Sequence, residues 1–253
     1  MAQAWSGAPD RRGRALALVH GAGGNHTLWG AVVASLRKRG VPAVALDLPG
    51  HGTRPGPAAA SVAELADATE ALLAEAGATR YAVAGHSLGG AIALTLAVRG
   101  PPGLTGVGAV STGARLPVDP RILRGARDAF ACTVDNLAKF LFARGTAQET
   151  IQQAAAMMAA AGPEALFADF SACAAYGLSV EELARVRLPA EVVCGEVDVL
   201  TPLPLSEELA AALPLARLTR LPGVGHLPLI EAPEAVAKVL ESLWARAFPE
   251  GAP

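Results

Sequence analysis

Ser87 stands between glycines in the segment Gly85-His86-Ser87-Leu88-Gly89-Gly90, which has the pattern G-x-S-x-G. An apolar run at 81–84 precedes this segment and a second run at 91–94 follows it, which predicts a strand, a sharp turn and a helix. Glycines two residues before and after the serine leave room for the strained backbone of such a turn. This is the pattern of a nucleophile elbow, which would expose the Ser87 hydroxyl at the edge of a sheet.

A serine hydroxyl becomes a strong nucleophile only with two partners, a base that takes its proton and an acid that orients the base. Two later segments supply such groups directly after predicted strands, because 195–198 ends in Asp198 and 223–226 ends in His226. Both side chains are therefore expected in the loops where the partners of Ser87 should lie. We predict that Ser87 is the nucleophile, His226 the base and Asp198 the orienting acid.

Asp198 has competitors for the role of the acid. Its neighbour Glu196 is expected to be solvated or to pair locally. Asp169 lies between Ser87 and Asp198, in a region without strand patterns, and we rank it below Asp198 as the acid. An acidic residue after the predicted strand at 105–111 is the main alternative.

His226 is one of five histidines, and it alone follows the acid along the chain with glycines around it. His20 ends a predicted strand before a run of glycines, so it is expected to brace that loop. His26 and His51 are loop residues that are expected to have structural roles or to line a pocket. His86 adjoins the serine but is expected to point off the opposite side of the turn.

The oxyanion that forms during acyl transfer needs backbone N–H donors already aimed at it. One donor is expected at Leu88, because the residue after the serine opens a helix whose first N–H groups are free. The other is expected in the glycine-rich turn 20–24, with Ala22 as first choice and Gly23 as second. This turn has neither the lysine nor the spacing of the phosphate-binding motifs, so we expect no nucleotide cofactor.

The elements that must position these residues alternate as βαβ units, which is typical of an α/β fold with a parallel sheet. The predicted strands are 15–20, 41–46, 80–85, 105–111, 190–195 and 215–221. The predicted helices between and after them are 28–39, 61–76, 89–99, 204–212 and 233–247. The two ends, 1–12 and 248–253, are expected to be loose.

Residues 113–187 interrupt the alternation, because they contain helical patterns and no convincing strand. The helical patterns are 120–131, 134–143, 147–161, 163–175 and 179–186. We interpret this region as a helical cap inserted into a core whose two parts are residues 1–112 and 188–253. The bulky apolar side chains of the cap are expected to pack a small core of its own.

Composition narrows the class of protein. With 253 residues and 52% apolar residues, the chain can bury the core of one large domain. A net charge of −2 with interspersed signs offers no footprint for nucleic acid or an anionic membrane, and no run reaches the roughly 20 apolar residues that span a bilayer. The three cysteines have no metal or disulfide spacing, so we expect reduced thiols, no metal site and a cytoplasmic protein. The expected partner is a small-molecule substrate, and the composition leaves the oligomeric state open.

Five motifs in this order resemble the α/β-hydrolase fold superfamily, in its single-domain, lidded serine hydrolase form. The motifs are His20-Gly21, Asp47-Leu-Pro-Gly-His-Gly52, Gly85 to Gly90, Gly195 to Asp198, and Gly225-His226. The resemblance spans about residues 14–247. It implies a catalytic triad of Ser87, His226 and Asp198, an oxyanion hole at the backbone of Ala22 and Leu88, and no cofactor. It also implies about eight strands with the cap after the sixth, whereas six strands are recognised here.

The resemblance implies a hydrolase that cleaves a small to medium carboxylic ester through an acyl-enzyme intermediate. Thioesters, lactones and the carbon–carbon bonds of diketones are variants that the same site could serve. One alternative is a triad-dependent lyase or carbon–carbon bond hydrolase whose carboxylated substrate is received by cap arginines, namely Arg115, Arg121, Arg124, Arg127 and Arg144. The other alternative is a non-catalytic ligand receptor on the same fold.

Overall fold

Runs of Val, Leu and Ala form the strands of one sheet in the computed structural model, which describes residues 5–249. The strands of these residues are β1 (Trp5–Gly7), β2 (Arg14–Val19), β3 (Ala43–Leu46), β4 (Arg80–His86), β5 (Leu104–Val110), β6 (Ala190–Gly195) and β7 (Ala216–Leu221). They lie in the order β1-β3-β2-β4-β5-β6-β7, and all neighbours are parallel except β1 and β3. The central strands are buried on both faces, which explains why their sequences are continuous apolar runs.

Helices cover both faces of this sheet. The α-helices of the described residues are α1 (Gly30–Lys38), α2 (Val62–Glu75), α3 (Leu88–Arg99), α4 (Pro120–Asp128), α5 (Phe130–Phe140), α6 (Gln148–Ala175), α7 (Val180–Leu183), α8 (Leu203–Ala212), α9 (Pro228–Glu231) and α10 (Pro233–Ala247), and a short 3-10 helix, His26–Trp29, precedes α1. One apolar core contains Leu36 of α1 and Leu240 of α10, and the other contains Leu72 of α2 and Leu94 of α3. The predicted α/β fold, a mostly parallel sheet flanked by helices, is confirmed.

The structure corrects the number and the limits of the predicted strands. Six of the seven strands within residues 5–249 are predicted, and the missing one is β1, a three-residue edge strand antiparallel to β3. A strand this short has no periodicity to reveal it, and pairing with β3 orders it. The prediction of loose ends is therefore wrong at β1, and also at Phe248, which is buried against Trp244. Residues 1–4 and 250–253 lie outside the described residues.

A helical insert, residues 113–187, occupies the chain between β5 and β6 and contains α4, α5, α6 and α7. It follows the fifth strand of the described chain, whereas the resemblance implies the sixth of about eight. The base of the insert is closed by a bridge between Arg115 and Gly177 and by a hydrogen bond from Leu178 N–H to Ala114 O at 2.8 Å.

The long helix α6 of the insert is broken where the sequence predicts an interruption. Gly162 has a φ of 86° and is followed by Pro163, which cannot continue the hydrogen-bonding ladder of a helix. Buried side chains of the insert, among them Leu137 and Leu166, form an apolar cluster separate from the two cores of the sheet. The expected small core exists, but several bulky side chains of the insert do not join it, because Phe142 and Met157 pack with a core of the sheet and Phe140 is exposed. The limits of the insert as a structural unit stay a prediction.

Gly89 allows α3 to approach the backbone of β2, because a Cβ at this position would overlap the carbonyl oxygen of Val19. We expect Gly89→Ala to lower the free energy of unfolding by about 1–3 kcal/mol, since the helix or the strand must shift. Gly30→Ala is the matched control. Gly30 opens α1 and has no atom within 4 Å of its Cβ position, so alanine there should keep or raise stability by up to about 1 kcal/mol. Chemical denaturation measures both changes, and equal stabilities of the two variants would contradict this account.

Candidate active site

Ser87 lies in the turn between β4 and α3, as the sequence predicts. Its φ of 52° and ψ of −115° put a non-glycine residue in a region that costs of order 1–3 kcal/mol. A Cβ on Gly85 would collide with the carbonyl group of Gly89, so this turn requires glycine there. Two hydrogen bonds hold the turn, because Ser87 N–H donates to Val110 O and the Thr112 hydroxyl donates to Ser87 O, both at 2.9 Å.

Asp198 and His226 follow β6 and β7, and 2.9 Å separates Asp198 Oδ2 from His226 Nδ1. Both residues are buried. The N–H groups of Leu200 and Thr201 donate to Asp198 Oδ1 at 2.9 and 3.0 Å, and the Thr201 hydroxyl donates to Oδ2 at 2.8 Å. Burial alone would raise the pKa of Asp198, but the His226 imidazole and the hydrogen bonds from His226 and Thr201 hold this pKa below its usual 3.8.

The contact with Asp198 decides which nitrogen of His226 carries the proton. A carboxylate is only an acceptor, so Nδ1 of His226 donates and Nε2 is left with a free lone pair. Ser87 and His226 line the same cavity. The structure therefore brings all three predicted residues together, because Asp198 contacts His226 and His226 lines the same cavity as Ser87.

This cavity has a volume of about 370 Å³ and lies between the sheet loops and the helical insert. Most of its side chains are apolar, and the larger ones include Leu28, Leu116, Val118, Ile122, Leu137, Leu141, Met157, Met158, Phe170, Leu200, Leu227, Leu229 and Ile230. The polar side chains of the lining are Thr27, His86, Ser87, Thr150, Gln153, Thr201 and His226. In the described part of the chain, no Asp, Glu, Lys or Arg lines the cavity.

The arginines of the insert have other surroundings. Arg115 and Arg121 pair with carboxylates on the protein surface at 2.9 and 2.5 Å. The guanidinium of Arg127 lies over the Phe167 ring, 3.7 Å from its centre. None of the five arginines considered for a carboxylated substrate lines the cavity within residues 5–249.

The glycine-rich turn after β2 is braced by His20, as predicted. Leu48 N–H donates to His20 Nε2 at 3.1 Å, so the ring proton is on Nδ1, which donates to Gly21 O at 2.8 Å. Burial, together with the charge of nearby His51, lowers the pKa of His20 to about 4 and keeps the ring neutral. The Gly21 carbonyl and the Ala22 N–H belong to one peptide plane, so His20 also fixes the direction of the Ala22 N–H.

Hydrogen bonding separates the two candidate donors of this turn. Gly23 N–H donates to Asp169 Oδ2 at 2.8 Å and is occupied, whereas Ala22 N–H has no acceptor among the described residues. Leu88 N–H is the first of α3 and has no acceptor within the helix. The geometry favours Ala22 over Gly23, and Leu88 supplies a second free N–H beside Ser87.

The predicted orientation of His86 is wrong. Its Nε2 donates to the carbonyl oxygen of His226 at 2.7 Å, and the two rings lie 4.8 Å apart. Burial, followed by the charge of His226, lowers the pKa of His86 to about 3, so the ring is a neutral donor. Strand alternation places neighbouring side chains on opposite faces, but it does not reveal that the loop carrying His226 crosses the end of β4.

Other polar residues near the site have structural partners. His26 contacts Asp47, with 2.9 Å between Nδ1 and the carboxylate. Asp169 contacts His51 rather than His226, so it is not the acid of this site. Thr201 was not among the predicted residues, although its position three residues after Asp198 suits a hydroxyl that turns back to the carboxylate.

The described residues offer neither a metal site nor a membrane-spanning helix. Within residues 5–249, no group of three or more His, Cys, Asp or Glu side chains is arranged to hold a metal ion. No helix of that part of the chain is both long and apolar enough to cross a membrane. Cys194 of β6 is fully buried, and burial raises its thiol pKa to about 11.

Comparison with known proteins identifies the family. The model of the alpha/beta hydrolase family matches residues 16–239. A pimeloyl-(acyl-carrier protein) methyl ester esterase of Aromatoleum aromaticum is 32% identical, over 90% of this chain and 97% of the relative. The chain belongs to the alpha/beta hydrolase family, and the prediction of a hydrolase is confirmed.

Solved structures agree in fold. A thermophilic esterase is 29% identical, with 92% of this chain and 90% of that chain covered and a TM-score of 0.80. An esterase from Thermogutta terrifontis with malate bound is 24% identical, with 96% and 93% covered and a TM-score of 0.86. Because the aligned parts cover 92% and 96% of this chain, the similarity extends over both the sheet and the helical insert.

Thr201→Val removes a hydroxyl donor to Asp198 and keeps the shape of the side chain. We expect the free energy of unfolding near neutral pH to fall by about 1.5–3 kcal/mol, because a hydrogen bond to a charged group is lost. The folded pKa of Asp198 is lowered, so its carboxylate stabilises the fold above pH 3.8 and loses this contribution as the pH falls further. The difference between wild type and variant should therefore shrink below pH 3.8.

Urea denaturation at neutral and acidic pH measures this difference. Thr69→Val is the control, since the Thr69 hydroxyl bonds only Leu65 O in its own helix, and its effect should be small at both pH values. A Thr201→Val effect that does not change with pH would contradict the proposed link to the charge of Asp198.

Proposed function

We propose that this protein hydrolyses uncharged carboxylic esters of small to medium size through an acyl-enzyme intermediate on Ser87. The observation that carries the proposal is the 2.9 Å hydrogen bond between Asp198 and His226, on a histidine that shares one cavity with Ser87. An imidazole held in this tautomer by a buried carboxylate is the base that a serine nucleophile needs.

In the first half of the reaction, Ser87 Oγ attacks the ester carbonyl carbon while His226 Nε2 takes the hydroxyl proton. The carbonyl oxygen becomes an oxyanion, to which the N–H groups of Ala22 and Leu88 donate hydrogen bonds. Collapse of this intermediate breaks the bond to the alcohol, which leaves with the proton from His226. Asp198 stays ionised throughout and stabilises the imidazolium that forms in between.

In the second half, water attacks the acyl group on Ser87 and gives its proton to His226. The second oxyanion uses the same two N–H groups. Its collapse returns the proton to Ser87 Oγ and releases the carboxylic acid. One site therefore serves both halves, and the sequence of steps needs no group beyond the named residues and water.

Two of the similar proteins support ester cleavage as the reaction. The curated relative with 32% identity is named as a methyl ester esterase, and the solved structure with 29% identity is an esterase. The ester bond is therefore our first choice over thioesters, lactones and carbon–carbon bonds, which the same nucleophile could attack.

The cavity lining supports an uncharged substrate. A carboxylate in a space lined by Leu, Ile, Met and Phe side chains would lose its hydration without gaining a cationic partner. This observation weighs against the alternative of a carboxylated substrate for a lyase or a carbon–carbon bond hydrolase. The buried Asp198 and His226 pair weighs against a non-catalytic receptor, since such a pair has no use in binding alone.

Ser87→Ala tests the proposed nucleophile. We expect kcat for p-nitrophenyl butyrate to fall by about 10⁴-fold or more, because no other group can form the acyl-enzyme. A fluorophosphonate probe should label the wild type and should not label this variant. Ser171→Ala is the matched control, since the Ser171 hydroxyl bonds Phe167 O in its own helix and lies outside the cavity lining. Full turnover by well-folded Ser87→Ala, judged by circular dichroism, would disprove the mechanism.

A pair of esters of similar length tests the substrate charge. We expect kcat/KM for p-nitrophenyl butyrate to exceed that for the p-nitrophenyl hemisuccinate by about 100-fold or more, because the free carboxylate must be buried without a partner. Arg121→Ala should leave both values unchanged, since Arg121 lies outside the cavity lining. Equal values for the two esters, or a loss confined to the hemisuccinate in Arg121→Ala, would instead favour the carboxylated substrate.

A further inference from the structure

Asp169 is a fully buried carboxylate on α6 of the helical insert, and it faces loops of the core. Its Oδ2 accepts hydrogen bonds from the backbone N–H of Gly23 at 2.8 Å and from His51 Nε2 at 3.0 Å. The second oxygen, Oδ1, is buried with no partner in the described structure. Burial of a carboxylate costs free energy, and the packing of a helix does not need one. The contacts of Asp169 therefore require an explanation.

His51 makes this contact an ion pair. One ring nitrogen, Nδ1, lies 3.0 Å from Pro49 O, and the other lies 3.0 Å from Asp169 Oδ2. Both neighbours are acceptors, so both ring nitrogens carry protons and His51 is an imidazolium. Burial would lower the pKa of His51, but the Asp169 carboxylate raises it above its usual value. A buried cation on the core thus meets a buried anion on the insert.

Gly23 sits directly against the insert. Its φ of +64° and its close approach to α6 exclude a side chain, because a Cβ would lie 2.8 Å from Leu166 Cδ1 and 3.1 Å from Met158 Cγ. The Gly23 N–H belongs to the peptide plane that follows Ala22. Asp169 therefore fixes the plane after Ala22, and His20 fixes the plane before it.

We propose that Asp169 is a positioning residue for the oxyanion hole, through which the helical insert holds the Ala22 N–H in its reactive direction. This inference rests on the proposed function, since it assigns a support to a donor of that mechanism. Two side chains support the peptide planes around Ala22, namely His20 of the core and Asp169 of the insert. The role of His51 is to hold the Asp169 carboxylate in place beside Gly23.

The proposal is tested with four variants. Asp169→Leu removes the acceptor of the Gly23 N–H but leaves His51 without its partner. The double variant His51→Leu with Asp169→Leu removes both charges, so the fold keeps an apolar contact while Gly23 still lacks an acceptor. Asp169→Asn can keep the acceptor through its carbonyl oxygen. Asp135→Asn, at an exposed position on α5 of the same insert, is the control.

We expect Asp169→Leu and the double variant to lose about 10- to 100-fold in kcat for p-nitrophenyl butyrate with little change in KM, because the loss falls on the transition state. The rate of fluorophosphonate labelling should fall in the same proportion, since the phosphonyl oxygen occupies the oxyanion hole. Asp169→Asn should keep a kcat closer to that of the wild type than the leucine variants do. Asp135→Asn should match the wild type.

A double variant with wild-type kcat would overturn the proposal, because it would show that only the stability of the ion pair matters. A loss that appears in KM alone, or in melting temperature alone, would overturn it as well. A wild type that neither hydrolyses the ester nor reacts with the probe would instead overturn the proposed function, and this positioning role with it.

Discussion

The close approach of α3 to β2 is the constraint on which the site depends. Gly89 lies against the carbonyl groups of Val19 and His20, so no side chain separates the helix from the strand. This packing forces the chain to turn sharply between β4 and α3, and Ser87 takes the strain with a φ of 52°. Strain of this kind persists only where the surrounding structure determines the backbone. Here the buried strands β2 and β4 do so.

Burial and hydrogen bonding determine which groups around this turn are neutral and which are charged. His20 and His86 have depressed pKa values and act as neutral donors to carbonyl oxygens, of Gly21 and His226 respectively. Asp198 stays ionised because four hydrogen bonds, three from Leu200 and Thr201 and one from His226, compensate its burial. These two imidazoles thus position backbone groups, whereas His226 is the proposed base for Ser87.

The helical insert is bound to the loops of the site as well as covering them. Leu227 N–H donates to Leu141 O at 3.0 Å, so the loop that carries His226 is tied to the end of α5. The Glu231 carboxylate accepts from Ala143 N–H of the insert at 2.8 Å and from Gly225 N–H at 3.0 Å. Burial raises the pKa of Glu231, and the two N–H donors act in the opposite direction. Both the His226 loop and the turn at Gly23 therefore have contacts with the insert, and the position of the insert affects the geometry of the site.

The sequence by itself determined the order of the elements, the turn at Ser87 and the candidates Asp198 and His226. These are local properties, because apolar periodicity predicts strands and helices, and glycine spacing predicts a turn. Parallel strands then bring the residues after β4, β6 and β7 to one edge without further information. The tertiary structure decided the rest. It ordered β1 by pairing, turned His86 toward His226, added Thr201 to Asp198, and joined Asp169 to Gly23 across 146 positions of sequence. Such contacts depend on how distant helices and loops pack, and no local pattern records that.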